Sequence, residues 1–199
     1  MRSGGVVWVC GIAMVVAPSV VNAHDSLERY VQHAAVVSVT PENIDITLEI
    51  SFNSHDSQDE RRIMDTNRDA VLSDEEKKVY LNQVLADVAK RVALRVDNEE
   101  VRLVPLYDPE LDFYDSSDLE EHPHLLRIFL FARTPATLNK GSDIQLEDRL
   151  WEAKPAMLQA RVKDSSGINL VAKQSGTALR LDDGRDKRFL HWTCTAFRK

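Results

Sequence analysis

Between residues 44 and 52, apolar and polar side chains alternate without a break. Ile44, Ile46, Leu48, Ile50 and Phe52 are separated by Asp45, Thr47, Glu49 and Ser51. Successive side chains of a strand point to opposite faces, so this pattern predicts a strand with one wet face. Such a strand suits an antiparallel sheet packed on one side. A lead-in over residues 24–33, a first strand over residues 35–40 and the turn Pro41-Glu42-Asn43 precede it. Residues 53–64 are polar and charged and predict no more than a short helical turn ending at Ile63-Met64. The period then becomes helical. From about Asp74 to Arg91, Val79, Val84, Leu85, Val88 and Val92 trace one apolar face.

Beyond that helix the pattern returns to β. Residues 94–96 and 101–103 flank Asp97-Asn98-Glu99-Glu100, which predicts a hairpin. Further strands are predicted over residues 125–133, 144–150, 157–162, 168–172 and 190–197. Turn signals stand between them at residues 140–142, 164–167 and 183–184. Many short strands at this spacing predict a mainly β fold with one long helix. The expected architecture is an antiparallel, Ig-like β-sandwich carrying an EF-hand-like loop–helix insertion.

The N-terminal segment reads differently. Arg2 precedes an apolar run over residues 6–16, Pro18-Ser19 break it, and Ala23 offers a small residue for cleavage. This predicts a signal peptide over residues 1–23, an exported protein (secreted or periplasmic) and one domain over residues 24–199. The run is too short to cross a bilayer core of about 30 Å, and no later stretch approaches the roughly 18 apolar residues a spanning helix needs. Cys10 would leave with the signal, so Cys194 stands alone and is expected as a buried thiol. Losing Arg2 would lower the formal charge from −7 to −8. That charge disfavours nucleic acid and anionic lipid, and no basic patch with interleaved aromatics offsets it.

The clearest chemistry lies between the polar stretch and the helix. It reads Asp65-Thr66-Asn67-Arg68-Asp69-Ala70-Val71-Leu72-Ser73-Asp74-Glu75-Glu76. Ca²⁺ takes 6–8 oxygens at about 2.3–2.6 Å, and alternate residues of a tightly wound loop can converge on it. Asp65, Asn67 and Asp69 supply side-chain oxygens at positions 1, 3 and 5. Val71 offers a backbone carbonyl, Ser73 can act through water, and Glu76 closes the shell from the first helical turn. Position 6 departs from the pattern, because Ala70 stands where glycine is usual. A left-handed residue with a Cβ costs roughly 1–2 kcal/mol, which weakens binding by about tenfold to thirtyfold. The expected dissociation constant is about 10⁻⁴–10⁻³ M. A metal-free explanation competes: Ser73 and Glu76 also form a capping box, and Asp74 and Glu75 suit the positive end of the helix dipole.

The loop and its helix resemble the EF-hand superfamily at five of its six defining positions, over about residues 61–91. A looser likeness covers more of the chain. Ala23-His24, a strand pair, the Asp-x-Asn-x-Asp loop, a helix, a hairpin and then Leu146-Glu147-Asp148-Arg149-Leu150-Trp151 follow in order. This order looks like the extracytoplasmic N-terminal region of bacterial membrane proteins of the nickel/cobalt-permease type. No permease helices follow here, so transport by this polypeptide alone is not expected; the likeness implies a stand-alone periplasmic or secreted relative.

Other residues invite narrower readings. A mature N-terminal His24 would offer an amine and an imidazole to Cu²⁺ or Ni²⁺, with His33, His55 or His191 as a further ligand. Asp108, Glu110, Asp112, Asp115, Asp118, Glu120, Glu121, His122 and His124 form a charge run, most simply a solvated loop or a surface for a protein partner. Asp112 and Asp115 carry the residue types of a carboxylate pair. No phosphate loop, zincin motif or nucleophile elbow occurs, so nothing argues for an enzyme. The leading expectation is therefore a non-catalytic, calcium-binding exported module. The alternatives are a periplasmic Ni/Cu-handling module using His24 and a metal-free interaction domain.

Overall fold

The alternation over residues 44–52 becomes the central strand of a sheet. The computed structural model describes residues 31–114, 122–138, 141–154, 156–163, 168–182 and 185–198. Of residues 156–158, 169, 170, 172–182, 185–193, 197 and 198 only the backbone is described. The expected signal segment, His24 and most of the lead-in lie outside the described residues. In chain order the elements are β1 (Val31–Val39), β2 (Asn43–Phe52), α1 (Ser54–Met64), α2 (Asp74–Arg91), β3 (Val92–Val96), β4 (Glu99–Val101), β5 (Val104–Pro105), β6 (Glu110–Asp112), β7 (His124–Arg133), β8 (Ser142–Asp148), β9 (Ala156–Val162), β10 (Ile168–Asp182) and β11 (Arg185–Arg198).

Two sheets form. The first runs β5-β7-β2-β1-β9, with β6 also pairing β7; the second runs β10-β11-β8-β3-β4. The fold is mainly β, as the periodicity implies, but the first sheet is mixed, because β1 pairs β9 in parallel. That pairing corrects the wholly antiparallel expectation. Val31 lies beside Ala156 across a long stretch of chain, a non-local contact that alternation does not encode. The hairpin between β3 and β4 turns on Asp97 (φ 50°) and Asn98 (φ 68°). Left-handed values at both central residues favour a short turn that follows the strand twist.

The alternating residues bury one face. Ile44, Ile46, Leu48, Ile50 and Phe52 of β2 meet Val31, Ala35, Val37 and Val39 of β1 and Leu126, Ile128, Leu130 and Ala132 of β7 in the core. Val92, Leu94 and Val96 of β3 and Ile144 and Leu146 of β8 supply the core face of the second sheet. Burying each such large side chain contributes about 1.5–3 kcal/mol. Cys194 lies buried as expected.

Among the described residues two helices are present, not one. α1 is an eleven-residue helix capped by Asn53, whose side chain accepts the Asp56 N–H. Periodicity missed it because its buried residues are Ser57, Glu60, Arg61 and Met64, a helical stripe with one apolar member. α2 has the expected bounds, but its inner face is turned. Glu76, Tyr80, Val84 and Val88 are buried, whereas Val79 is 61% exposed. Residues four apart lie one above another on a helix, so burying Tyr80 with Val84 sends Val79 outward.

Leu94→Ala should cost about 2–5 kcal/mol in a denaturant titration, and Val79→Ala no more than about 0.5 kcal/mol. Equal costs would contradict this placement of the α2 face.

Candidate metal centre

α1 ends at Met64 and α2 begins at Asp74, so the loop of residues 65–76 is held at both ends by helices. Its interior turns twice through left-handed backbone, at Arg68 (φ 64°) and Ala70 (φ 67°). The sharp turn expected at position 6 is therefore made, with Ala70 bearing the strain of a Cβ there. Acceptors along the loop hold it wound. Asp65 Oδ1 accepts from the Asp69 N–H at 3.2 Å and Oδ2 from the Ala70 N–H at 3.0 Å. Asn67 Oδ1 accepts from Asp69 N–H at 2.8 Å, and Asp69 Oδ1 from Val71 N–H at 2.9 Å. Leu72 is buried and pins the loop to the core, while Val71 is 53% exposed.

Glu76 is the centre of this arrangement. Oε1 accepts from Thr66 N–H (2.9 Å), Thr66 Oγ1 (3.1 Å) and Asn67 N–H (3.2 Å). Oε2 accepts from Ser73 N–H (3.0 Å) and Ser73 Oγ (2.8 Å). The capping box read from the sequence is complete, since the Glu76 N–H also donates to Ser73 Oγ. One carboxylate thus ties the start of the loop to the start of α2. The Ser73 N–H, then the Ser73 hydroxyl, outweigh the opposing effect of burial, and with Asn67 and Thr66 they lower the Glu76 pKa from 4.5 to about 2.

The donor types suit Ca²⁺: three carboxylates, one amide oxygen and an exposed carbonyl segment. Their present disposition suits it less well. A carboxylate has about four lone-pair sites, and Glu76 already meets five donors. Among the described residues, no three His, Cys, Asp or Glu side chains are grouped to hold a metal ion. To hold the ion, Glu76 would have to exchange its bonds to residues 66, 67 and 73 for a bond to the cation.

The other sequence candidates disperse. His33 is buried, with Nδ1 2.9 Å from Asp148 Oδ2, and His55 is exposed on α1. His191 lies on β11, where only backbone is described, and His24 is outside the described residues. Part of the charge run is a strand, β6, and His124 is buried in β7. Asp115, Asp118, Glu120 and Glu121 lie outside the described residues. Asp112 accepts the Tyr114 N–H at 2.9 Å, a local turn contact.

A polar cluster beneath α1 was not foreseen. Glu60 accepts from Tyr80 Oη at 2.8 Å and Trp151 Nε1 at 3.1 Å, and pairs with Lys154 at 3.4 Å. Arg61 lies over the Phe113 ring at 4.5 Å, and Ser57 Oγ is 2.7 Å from His124 Nδ1. Burial, then the Glu60 charge, raises the Tyr80 pKa well above 10.0. Burial works against the charge of Lys154, but Asp56 and Glu60 prevail and its pKa is raised. These partners come from distant segments; only the spacing of Ser57, Glu60, Arg61 and Met64 at one helical face carries a local signal.

No protein-family model and no curated protein matches the chain. No helix among the described residues is long and apolar enough to cross a membrane.

Ala70→Gly should raise stability by about 1 kcal/mol, relief of left-handed strain exceeding the added backbone entropy of glycine. Thermal unfolding in EDTA checks this; a lower melting temperature would contradict it. The Glu76 pKa is depressed on folding, so its stabilisation is present above pH 4.5 and lost as pH falls toward 2. Glu76→Gln should lower the melting temperature in EDTA at pH 7 and flatten its decline below pH 4.5. An unchanged acid limb would show that the carboxylate is not the tie described.

Proposed function

We propose that this chain is an exported, non-catalytic β-sandwich module whose 65–76 loop binds one Ca²⁺ weakly and for structural ends. The observation that carries the reading is the backbone at Arg68 and Ala70. Both are left-handed without being glycine. Such a conformation costs energy, and here it sets Asp65 Oδ1 and Asn67 Oδ1 together on the Asp69 N–H. Leu72 anchors the loop, so an ion would be held against a fixed wall rather than by a loose segment. Glu76 then sets the affinity, because its five donors compete with the ion. That competition adds to the cost of Ala70 and favours a dissociation constant of about 10⁻⁴–10⁻³ M.

A single loop of this kind is suited to bracing α1 against α2 and not to signalling. A second reading, a metal-free capped loop, is favoured by the saturation of Glu76. Export, the Ig-like form of the sandwich and transition-metal binding at His24 rest on the sequence alone.

Thermal unfolding with EDTA, then with millimolar Ca²⁺, Mg²⁺ or Ni²⁺, separates these readings. At tenfold excess over the dissociation constant, Ca²⁺ should add about 1.4 kcal/mol, a rise of about 3–5 °C for a chain of this size. Asp65→Ala and Glu76→Gln should abolish the rise. No response to Ca²⁺ in the unaltered protein would give the loop to the capped reading, and a response to Ni²⁺ alone would move the site to His24.

A further inference from the structure

α1 docks through charge and polarity. Ser57, Glu60 and Arg61 are buried beside Met64, and under them sits His124, wholly buried. Its ring stacks on Phe52 at 4.4 Å and lies 5.3 Å from Phe113. Nδ1 meets Ser57 Oγ, and Nε2 is buried without a hydrogen-bond partner. A neutral imidazole carries one N–H and an imidazolium two. In either tautomer, protonation leaves one N–H with no acceptor in an apolar slot.

The charges around the ring compound this. Arg61 of α1 lies over Phe113, and Lys77 of α2 approaches the same ring at 5.9 Å. Lys154, from the turn after β8, is tied to Asp56 and Glu60 of α1. The acidic groups nearby are already engaged: Glu60 by Tyr80, Trp151 and Lys154, and Asp148 by His33, whose ring lies 6.2 Å from that of Trp151. Trp151 itself is left-handed (φ 49°), strain that its contacts to Glu60 and Phe52 must sustain.

We propose that α1 is an acid-released element: protonation of His124 frees residues 54–64 from the sheet before the rest of the fold opens. Release hydrates the ring, separates it from Arg61 and exposes Phe52 and Phe113.

The sign and size follow by linkage. Burial first, then Arg61 and Lys154, lower the His124 pKa from 6.5 to about 3. The open form therefore takes up a proton between these values and the closed form does not, so closure weakens as pH falls below 6.5. Between pH 7 and 5, above the range where Glu76 titrates, the ratio of closed to open α1 should fall roughly thirtyfold.

Hydrogen exchange on the full chain, corrected for intrinsic rates, tests this at pH 7 and 5. Protection over residues 54–64 should fall roughly thirtyfold while that over residues 44–52 changes little. His124→Gln should flatten the response. Parallel loss in both segments, or none in either, would overturn the proposal in the unaltered protein alone. An unchanged response in folded His124→Gln would also overturn it.

Discussion

A carboxylate that must serve several partners limits what its surroundings can do, and Glu76 is such a group. Its two oxygens join Thr66 and Asn67 to Ser73 and so close the nine-residue connection, residues 65–73, between two helices. The same carboxylate is the one that the EF-hand pattern assigns to the ion. Latch and ligand are therefore alternative uses of one side chain. A cation taken up by the loop would therefore have to work against existing bonds.

The second constraint is polar. α1 is joined to the loop at Met64 and Asp65 and buries Ser57, Glu60 and Arg61. A buried charge without partners would be prohibitively costly. Glu60 is accordingly met by Tyr80, Trp151 and Lys154, and Arg61 by Phe113. These contacts reach from α1 to α2 and to the turn after β8, so the position of the loop depends on a network as much as on the apolar core.

Much of the scaffold was legible from residue pattern. The run from Ile44 to Phe52, the bounds of α2 and the β3–β4 hairpin each follow from local rules, although Glu99 and Glu100 join β4 and leave a tighter turn than expected. Ser73 also caps α2, as its spacing to Glu76 allows. What was hidden has a physical cause. α1 docks by a polar face, so hydrophobic periodicity is silent there. Val79 and Tyr80 are adjacent and both apolar, and only the packed structure decides which turns inward. β1 meets β9 in parallel across more than a hundred residues, and His124 meets Ser57 across 67. The loop's oxygen spacing was visible, but the saturation of Glu76 was not, because three of its five donors, the N–H groups of Thr66, Asn67 and Ser73, are backbone groups that every sequence possesses.

The most direct test follows the amide resonances of Thr66 and Asn67 during a Ca²⁺ titration. If Glu76 exchanges its latch bonds for the ion, both amides shift together and saturate with a dissociation constant of about 10⁻⁴–10⁻³ M. If both stay in place through that range, Glu76 is a latch alone, and the loop is a capped turn that does not take up Ca²⁺.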